Sequence, residues 1–171
     1  MPLNVKMPVF FRARRGLSTQ KFIRDGDLRP GHTIIGAFAA TERVFTSQDV
    51  ADFARLTGDV NPIHLNADFA ALTSFERPIV HGILLASLFS FLVSFDGAIY
   101  LQQDLHFKRP IHVGSTVRAR VEVVESRRLD GRRSTPSHYR DIVTCSTTCL
   151  DAENRVALEG YAKVIIPFSS P

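Results

Sequence analysis

The feature that most constrains this chain is the segment HGILLASLFSFLVSF at residues 81–95. Here Ile83, Leu84, Leu85, Ala86, Leu88, Phe89, Phe91, Leu92 and Val93 leave almost no polar face. A helix that is apolar on nearly every side is stable only when buried. It is too short for a membrane span, which needs about 20 apolar residues, so the rest of the chain has to cover it. The second half changes period: Val117, Ala119, Val121 and Val123 alternate with Arg118, Arg120 and Glu122, the pattern of a half-buried strand. Residues 139–150 and 156–166 continue that pattern. Shorter strands are predicted at 98–101 and 105–108, with turns at Asp96-Gly97, Val113-Gly114 and 151–154. One buried helix followed by a meander of antiparallel strands is an α+β plan, with the sheet wrapped around the helix.

Upstream, residues 32–45 read as extended. Thr46-Ser47-Gln48-Asp49 then offers a helix N-cap with an acid three residues on, followed by Val50, Phe53, Ala54 and Leu56 at helical spacing and Gly58 as a stop. A loop covers 59–66 and a second short helix 67–72. No repeat or low-complexity linker interrupts the chain after residue 32, which predicts one domain over 32–168. Its 171 residues, 44% hydrophobic and 22% charged, suffice for a core and exclude a disordered or coiled-coil chain.

A net charge of +4 and a pI of about 9.4 raise the question of an anionic partner such as nucleic acid. The charge is concentrated at the N-terminus, where Lys6, Arg12, Arg14, Arg15, Lys21 and Arg24 precede the first acid, Asp25. Such a segment reads as a mitochondrial presequence, and Arg15-Gly16-Leu17-Ser18 resembles a processing site cut after Leu17. Pro2 and Pro8 interrupt the helix that import requires, so a plain basic tail is the competing reading. The run Val9-Phe10-Phe11 is too short for a secretory signal core. Removing Lys6, Arg12, Arg14 and Arg15 from the 21 basic residues leaves 17 against 17 acidic, so the basic excess is an address rather than a nucleic-acid surface. The expected organisation is a presequence at 1–17, a linker at 18–31 and the folded domain in the mitochondrial matrix. Cys145 and Cys149 sit four apart in a strand, roughly 13 Å at strand rise and beyond disulfide reach, so they read as packing residues. No CxxC or His/Cys spacing supports a metal, and no cofactor motif is present.

The chemistry lies in Gly58-Asp59-Val60-Asn61-Pro62-Ile63-His64. Pro62 biases Asn61 away from helical geometry, so a turned loop can bring the Asp59 carboxylate and the His64 imidazole onto one water, polarise it and move its proton. By chemistry alone an Asp and a His in one loop are more often a turn residue and a structural histidine.

The longer string FTSQDVADFARLTGDVNPIHLNADFAALTSFERPIVHGILLASLFSF, residues 45–91, closely resembles the MaoC-like hydratase family of (R)-specific enoyl-thioester hydratases and 3-hydroxyacyl-thioester dehydratases. The GDxNPxH loop, the FxRPIVHG segment and the apolar helix occur in the family's order and spacing. The resemblance continues through Tyr100-Leu101, Phe107-Lys108 and Pro110 to about Val164. It implies a hot-dog fold with the helix at 81–95 as its centre, and a homodimer with an acyl tunnel near the subunit interface. By the same resemblance Asp59 and His64 are the catalytic pair, the Gly82 N–H is an oxyanion hole for the thioester carbonyl, and Ser90 supports the pair. Asn61 either contacts the site or shapes the turn before Pro62, and the turn is favoured. His81 reads as a structural hydrogen-bonding histidine, and His106 and His112 carry no signal. Arg127, Arg128, Arg132 and Arg133 crowd an expected loop, either as a solvated hairpin or as a docking patch for an acidic carrier protein or coenzyme A phosphates. Lys108 and Arg109 share that ambiguity.

Three functions are then in play. The first is a 3-hydroxyacyl-thioester dehydratase acting on acyl carrier protein in mitochondrial type II fatty acid synthesis. The second is an (R)-specific enoyl-CoA hydratase. The third is a non-catalytic acyl-thioester binding domain, against which the intact Asp59, His64, Gly82 and Ser90 argue. No membrane span or nucleic-acid partner is expected.

Overall fold

The computed structural model describes residues 21–25, 35–94, 98–129 and 140–167. The elements run β1 (Lys21–Asp25), β2 (Phe38–Val44), α1 (Ser47–Thr57), α2 (Pro62–Leu65), α3 (Ala67–Ala71), α4 (Gly82–Leu92), β3 (Ile99–Gln103), β4 (His106–Phe107), β5 (Thr116–Leu129), β6 (Arg140–Leu150) and β7 (Val156–Pro167). The strands form one seven-stranded antiparallel sheet of order β1-β2-β5-β6-β7-β3, with β4 also paired to β7.

The sheet wraps α4 as the apolar periodicity predicts. Leu85, Leu88, Phe89 and Leu92 of α4 are buried together with Ala39 of β2, Val117, Ala119, Val121 and Val123 of β5, Val143 and Cys145 of β6, and Ala162 and Val164 of β7. Register shifts between Val123 and Glu125, Cys149 and Leu150, and Tyr100 and Gln102 add local twist to long strands, which lets a single sheet curl around one helix. Gly160 is required where β7 passes the Asp104 carbonyl, since a Cβ there would collide with that backbone. Both cysteines are free and buried on β6, and burial pushes the Cys145 thiol up to about 12 and Cys149 higher still. Among the described residues no helix is long and apolar enough to cross a membrane.

The structure differs from the sequence expectations in four places. The helix expected over 81–95 is helical over Gly82–Leu92, and one of its faces is open: Ile83 is 58% and Phe91 43% exposed. A sheet packs one side of a helix, so the residues turned away from it stay exposed among the described residues. The segment expected to be a linker, 18–31, supplies β1, which pairs with β2 at the sheet edge. The expected loop 59–66 contains α2, because Pro62 starts a turn that Asn61 caps. Arg127 and Arg128 extend β5 rather than sitting in a loop. Residues 1–17 expected as a presequence, Phe95, the Asp96-Gly97 turn, Arg132 and Arg133 lie outside the described residues.

Candidate active site

The site is assembled at the N-terminal end of α4 by the loop that follows α1. The start of α1 is fixed by a full capping box. Thr46 Oγ1 accepts from the Asp49 N–H at 3.1 Å, and the Asp49 carboxylate accepts from the Thr46 N–H at 2.8 Å. Its end is fixed by Gly58, whose φ of 80° belongs to the left-handed region and turns the chain out of the helix. Asp59 follows directly. Asn61 Oδ1 accepts from the Ile63 N–H at 3.2 Å, so its side chain is used as the cap of α2, and the turn-shaping alternative is the one found. That cap starts the turn on which His64 sits.

His64 is held from the opposite side by the RPIVHG segment. Pro78, Ile79 and Val80 run extended, with the Val80 N–H on the Ile111 carbonyl and the Ile79 N–H on the Ile63 carbonyl, so the Ile79 carbonyl is fixed between two elements. It accepts a hydrogen bond from His64 Nδ1 at 2.8 Å. A carbonyl oxygen has no proton to give, so Nδ1 carries the hydrogen of the neutral ring and Nε2 keeps its lone pair. The Asp59 side chain is 52% exposed, and its carboxylate accepts from the Asn61 N–H at 3.4 Å. Side-chain ligand atoms of Asp59, His64 and His81 all lie within 4.8 Å of one another. A water donating to two acceptors at about 2.8 Å each spans roughly 4.5 Å, so side chains this close can share one water.

His81 is 1% exposed. Its Nε2 donates to the Asp59 carbonyl at 3.0 Å, its ring lies 3.8 Å from the His64 ring at 30°, and Phe53 packs 5.0 Å away. Its Nδ1 is buried with no hydrogen-bond partner among the described residues. Although Asp59, His64 and His81 are close enough to suggest a cation, the geometry is poor for one. Two imidazoles lying face to face do not aim ring-plane lone pairs at a common point, and His81 Nε2 is already committed as a donor.

Gly82 is the first residue of α4, so its N–H has no acceptor within the helix and lies at the positive end of the helix dipole. A Cβ on Gly82 would come within 2.6 Å of Phe107 Cε1, so the aromatic ring lies over this position only because it is glycine. Asp59, His64, His81 and Gly82 line one cavity of about 620 Å³ whose other walls include Phe53, Phe75, Ile79, Ile83, Phe107 and Ile111. Lys108 and Arg109 also line it, Lys108 paired with Glu159 at 3.0 Å and Arg109 bonded to the Val156 carbonyl at 2.7 Å. Ser90 is not among the lining residues. It is exposed on α4, about 12 Å along the helix from Gly82 at 1.5 Å per residue. The structure thus brings Asp59, His64 and Gly82 together, gives Asn61 to the turn, and leaves Ser90 apart within one chain. His81 is the hydrogen-bonding histidine that its place at the helix start suggested, but its partner, the use of the Ile79 carbonyl and the place of the Phe107 ring over Gly82 had no sequence signal, because each depends on segments far apart in the chain.

Comparison with known proteins bears on what this site does. The sequence model of the family described as MaoC like domain matches residues 32–143. The (R)-specific enoyl-CoA hydratase of Aeromonas caviae is 42% identical over 137 residues, 78% of this chain and 95% of the relative. The mitochondrial 3-hydroxyacyl-[acyl-carrier-protein] dehydratase of Arabidopsis thaliana is 34% identical over 136 residues, 78% of this chain and 77% of the relative. The solved (R)-hydratase from A. caviae superposes with a TM-score of 0.67 at 43% identity, covering 77% of this chain and 96% of that one. The architecture is the hot-dog fold.

Proposed function

The chain belongs to the MaoC-like domain family, and from that premise we propose that it is a hydro-lyase interconverting trans-2-enoyl and (R)-3-hydroxyacyl thioesters. The observation that carries this reading is that Asp59, His64 and Gly82 line one largely apolar cavity. Hydration needs a water delivered to C3, a proton delivered to C2, and a donor for the negative charge that develops on the thioester oxygen. The Asp59 carboxylate and His64 Nε2 are both acceptors and hold the two hydrogens of one water, which leaves its oxygen lone pairs free for C3. As the C–O bond forms, the pair takes one proton from the water and returns one to C2. The Gly82 N–H, with the helix dipole behind it, holds the enolate oxygen. Dehydration is the same path reversed.

The finer reading is a dehydratase of 3-hydroxyacyl chains on acyl carrier protein in mitochondrial type II fatty acid synthesis. The basic composition of residues 1–24, which hold no acid, supports it, as do plant relatives described as mitochondrial dehydratases of this kind. The second reading, an (R)-specific enoyl-CoA hydratase, is favoured by the A. caviae relative at 42% identity. Both use the same site. The open face of α4 and the exposed Ile99, Tyr100 and Leu101 on edge strand β3 support a homodimer in which a second copy covers them. The test is hydration of trans-2-butenoyl and longer enoyl groups on both carriers, with the product resolved on a chiral phase. The expected result is an (R)-3-hydroxyacyl product formed faster on acyl carrier protein. A rate no better on that carrier refutes the finer reading, and an (S) product or no product refutes the reaction.

A further inference from the structure

From the position of His81 we infer that it is a positioning residue for hydration: its Nε2–H holds the backbone of Asp59 and its ring backs the ring of His64. This inference rests on the reaction proposed above and adds a residue to it. His81 is the point where three parts of the site meet. It is the N-cap residue of α4, so it directly precedes the Gly82 N–H. Its Nε2 donates to the Asp59 carbonyl at 3.0 Å, across 22 residues of chain. Its ring stacks on His64 at 3.8 Å, with Phe53 at 5.0 Å beyond.

Other features indicate that this imidazole is kept for the site rather than for the helix. An N-cap side chain ordinarily accepts from an N–H of the first helical turn, yet His81 makes no such bond. Its Nδ1 is a buried acceptor without a partner among the described residues, an arrangement that costs stability and persists where something else is gained. The catalytic loop has few anchors of its own. Asp59 is exposed, its N–H meets Thr57 Oγ1 at 3.3 Å, and its carboxylate takes one long bond from Asn61. The bond from His81 ties this loop to the buried end of α4, fixing Asp59 relative to Gly82. The stacked face sets the tilt of His64 about its Nδ1 bond to Ile79. Displacement of a reacting group by about 1 Å can cost on the order of a hundredfold in rate, so a bond that fixes this distance acts on turnover rather than on substrate affinity.

The test compares His81→Phe, which keeps a flat, somewhat larger aromatic ring but loses the Nε2–H, with His81→Gln, whose side-chain amide places an N–H donor near the same point. Hydration kinetics are measured on folded protein, with nitrogen shifts of the imidazoles recorded for the parent chain. The expected result is a fall in kcat of roughly ten- to a hundredfold in His81→Phe with KM little changed, recovery of part of it in His81→Gln, which restores the donor but not the stacked ring, and a parent His81 protonated on Nε2. Faster amide exchange at Asp59 and Val60 in His81→Phe accompanies the loss. Equal kcat in His81→Phe and the parent overturns the inference, as does a loss that His81→Gln does not relieve or a parent His81 protonated on Nδ1. If the parent has no hydratase activity the reaction itself is refuted, while the exchange and nitrogen shifts still report whether His81 holds the loop.

Discussion

Gly82→Ala separates the role of Gly82 in the reaction from its role in the fold. The new Cβ would stand 2.6 Å from Phe107 Cε1 and 3.1 Å from Cδ1 and Cζ. Carbon atoms rest at about 3.5 Å or more, so the ring has to retreat by roughly 1 Å. It has room, because Phe107 is 54% exposed and sits on a two-residue strand at the edge of the sheet. The packing that the ring gives up as it moves is offset by the smaller conformational freedom of alanine in the unfolded chain, worth about 0.4–1 kcal/mol where the backbone is compatible. The net change in stability is expected within about 1 kcal/mol, a Tm shift of no more than about 4 °C for a domain of this size. Activity responds differently. The methyl group stands beside the N–H assigned to the thioester oxygen and the cavity wall moves by about 1 Å, so kcat/KM is expected to fall on the order of a hundredfold. The assay pairs thermal unfolding with the decay of enoyl-thioester absorbance. A kcat/KM within about threefold of the parent chain, or a loss that simply follows unfolding, refutes the assignment of Gly82.

Thr46→Ala removes the α1 capping box and is expected to cost about 1 kcal/mol in chemical denaturation at neutral pH. It also changes the pH dependence. Burial pushes the Asp49 carboxyl up, but hydrogen bonds from the Thr46 backbone and side chain, with the charge of Arg43, outweigh it and hold the group below its usual 3.8. A carboxyl lowered in the folded state contributes stability above its unfolded value and loses it as pH falls through the folded one. The parent chain is therefore expected to lose this contribution below about pH 4, and Thr46→Ala to show a shallower loss there in urea melts at stepped pH. Cys145, with its thiol pushed up to about 12 by burial on β6, is expected to resist iodoacetamide at neutral pH until the domain unfolds, as read by mass spectrometry of alkylated protein.

The wrapped-helix plan was legible because both periods are strong: α4 is apolar in sequence order and β5 alternates without a break from Val117 to Val123. Thr46 and Gly58 marked the ends of α1 through local chemistry, and the structure contains both caps. Asp59, His64 and Gly82 were legible through the resemblance, and they line one cavity. What was not legible depends on tertiary proximity. No local signal says that the Ile79 carbonyl receives His64 Nδ1, or that His81 reaches back to the Asp59 carbonyl. Strand β1 escaped notice because its five residues, with Phe22 and Ile23 adjacent between charged neighbours, show no alternation to distinguish it from a linker. Ser90 illustrates the reverse case: the resemblance implies support for the pair, while within one chain it stands about two helical turns away from Gly82.

Asp59 and His64 are assigned to act together on one water. That assignment is tested most directly by comparing single-turnover hydration in Asp59→Asn, His64→Gln and the double variant, each shown to be folded. The expected result is a loss of at least about a hundredfold in either single variant and no appreciable further loss in the double, because groups that act as a unit are lost together. Near-parent rates in either single variant, or losses that multiply in the double, would contradict it.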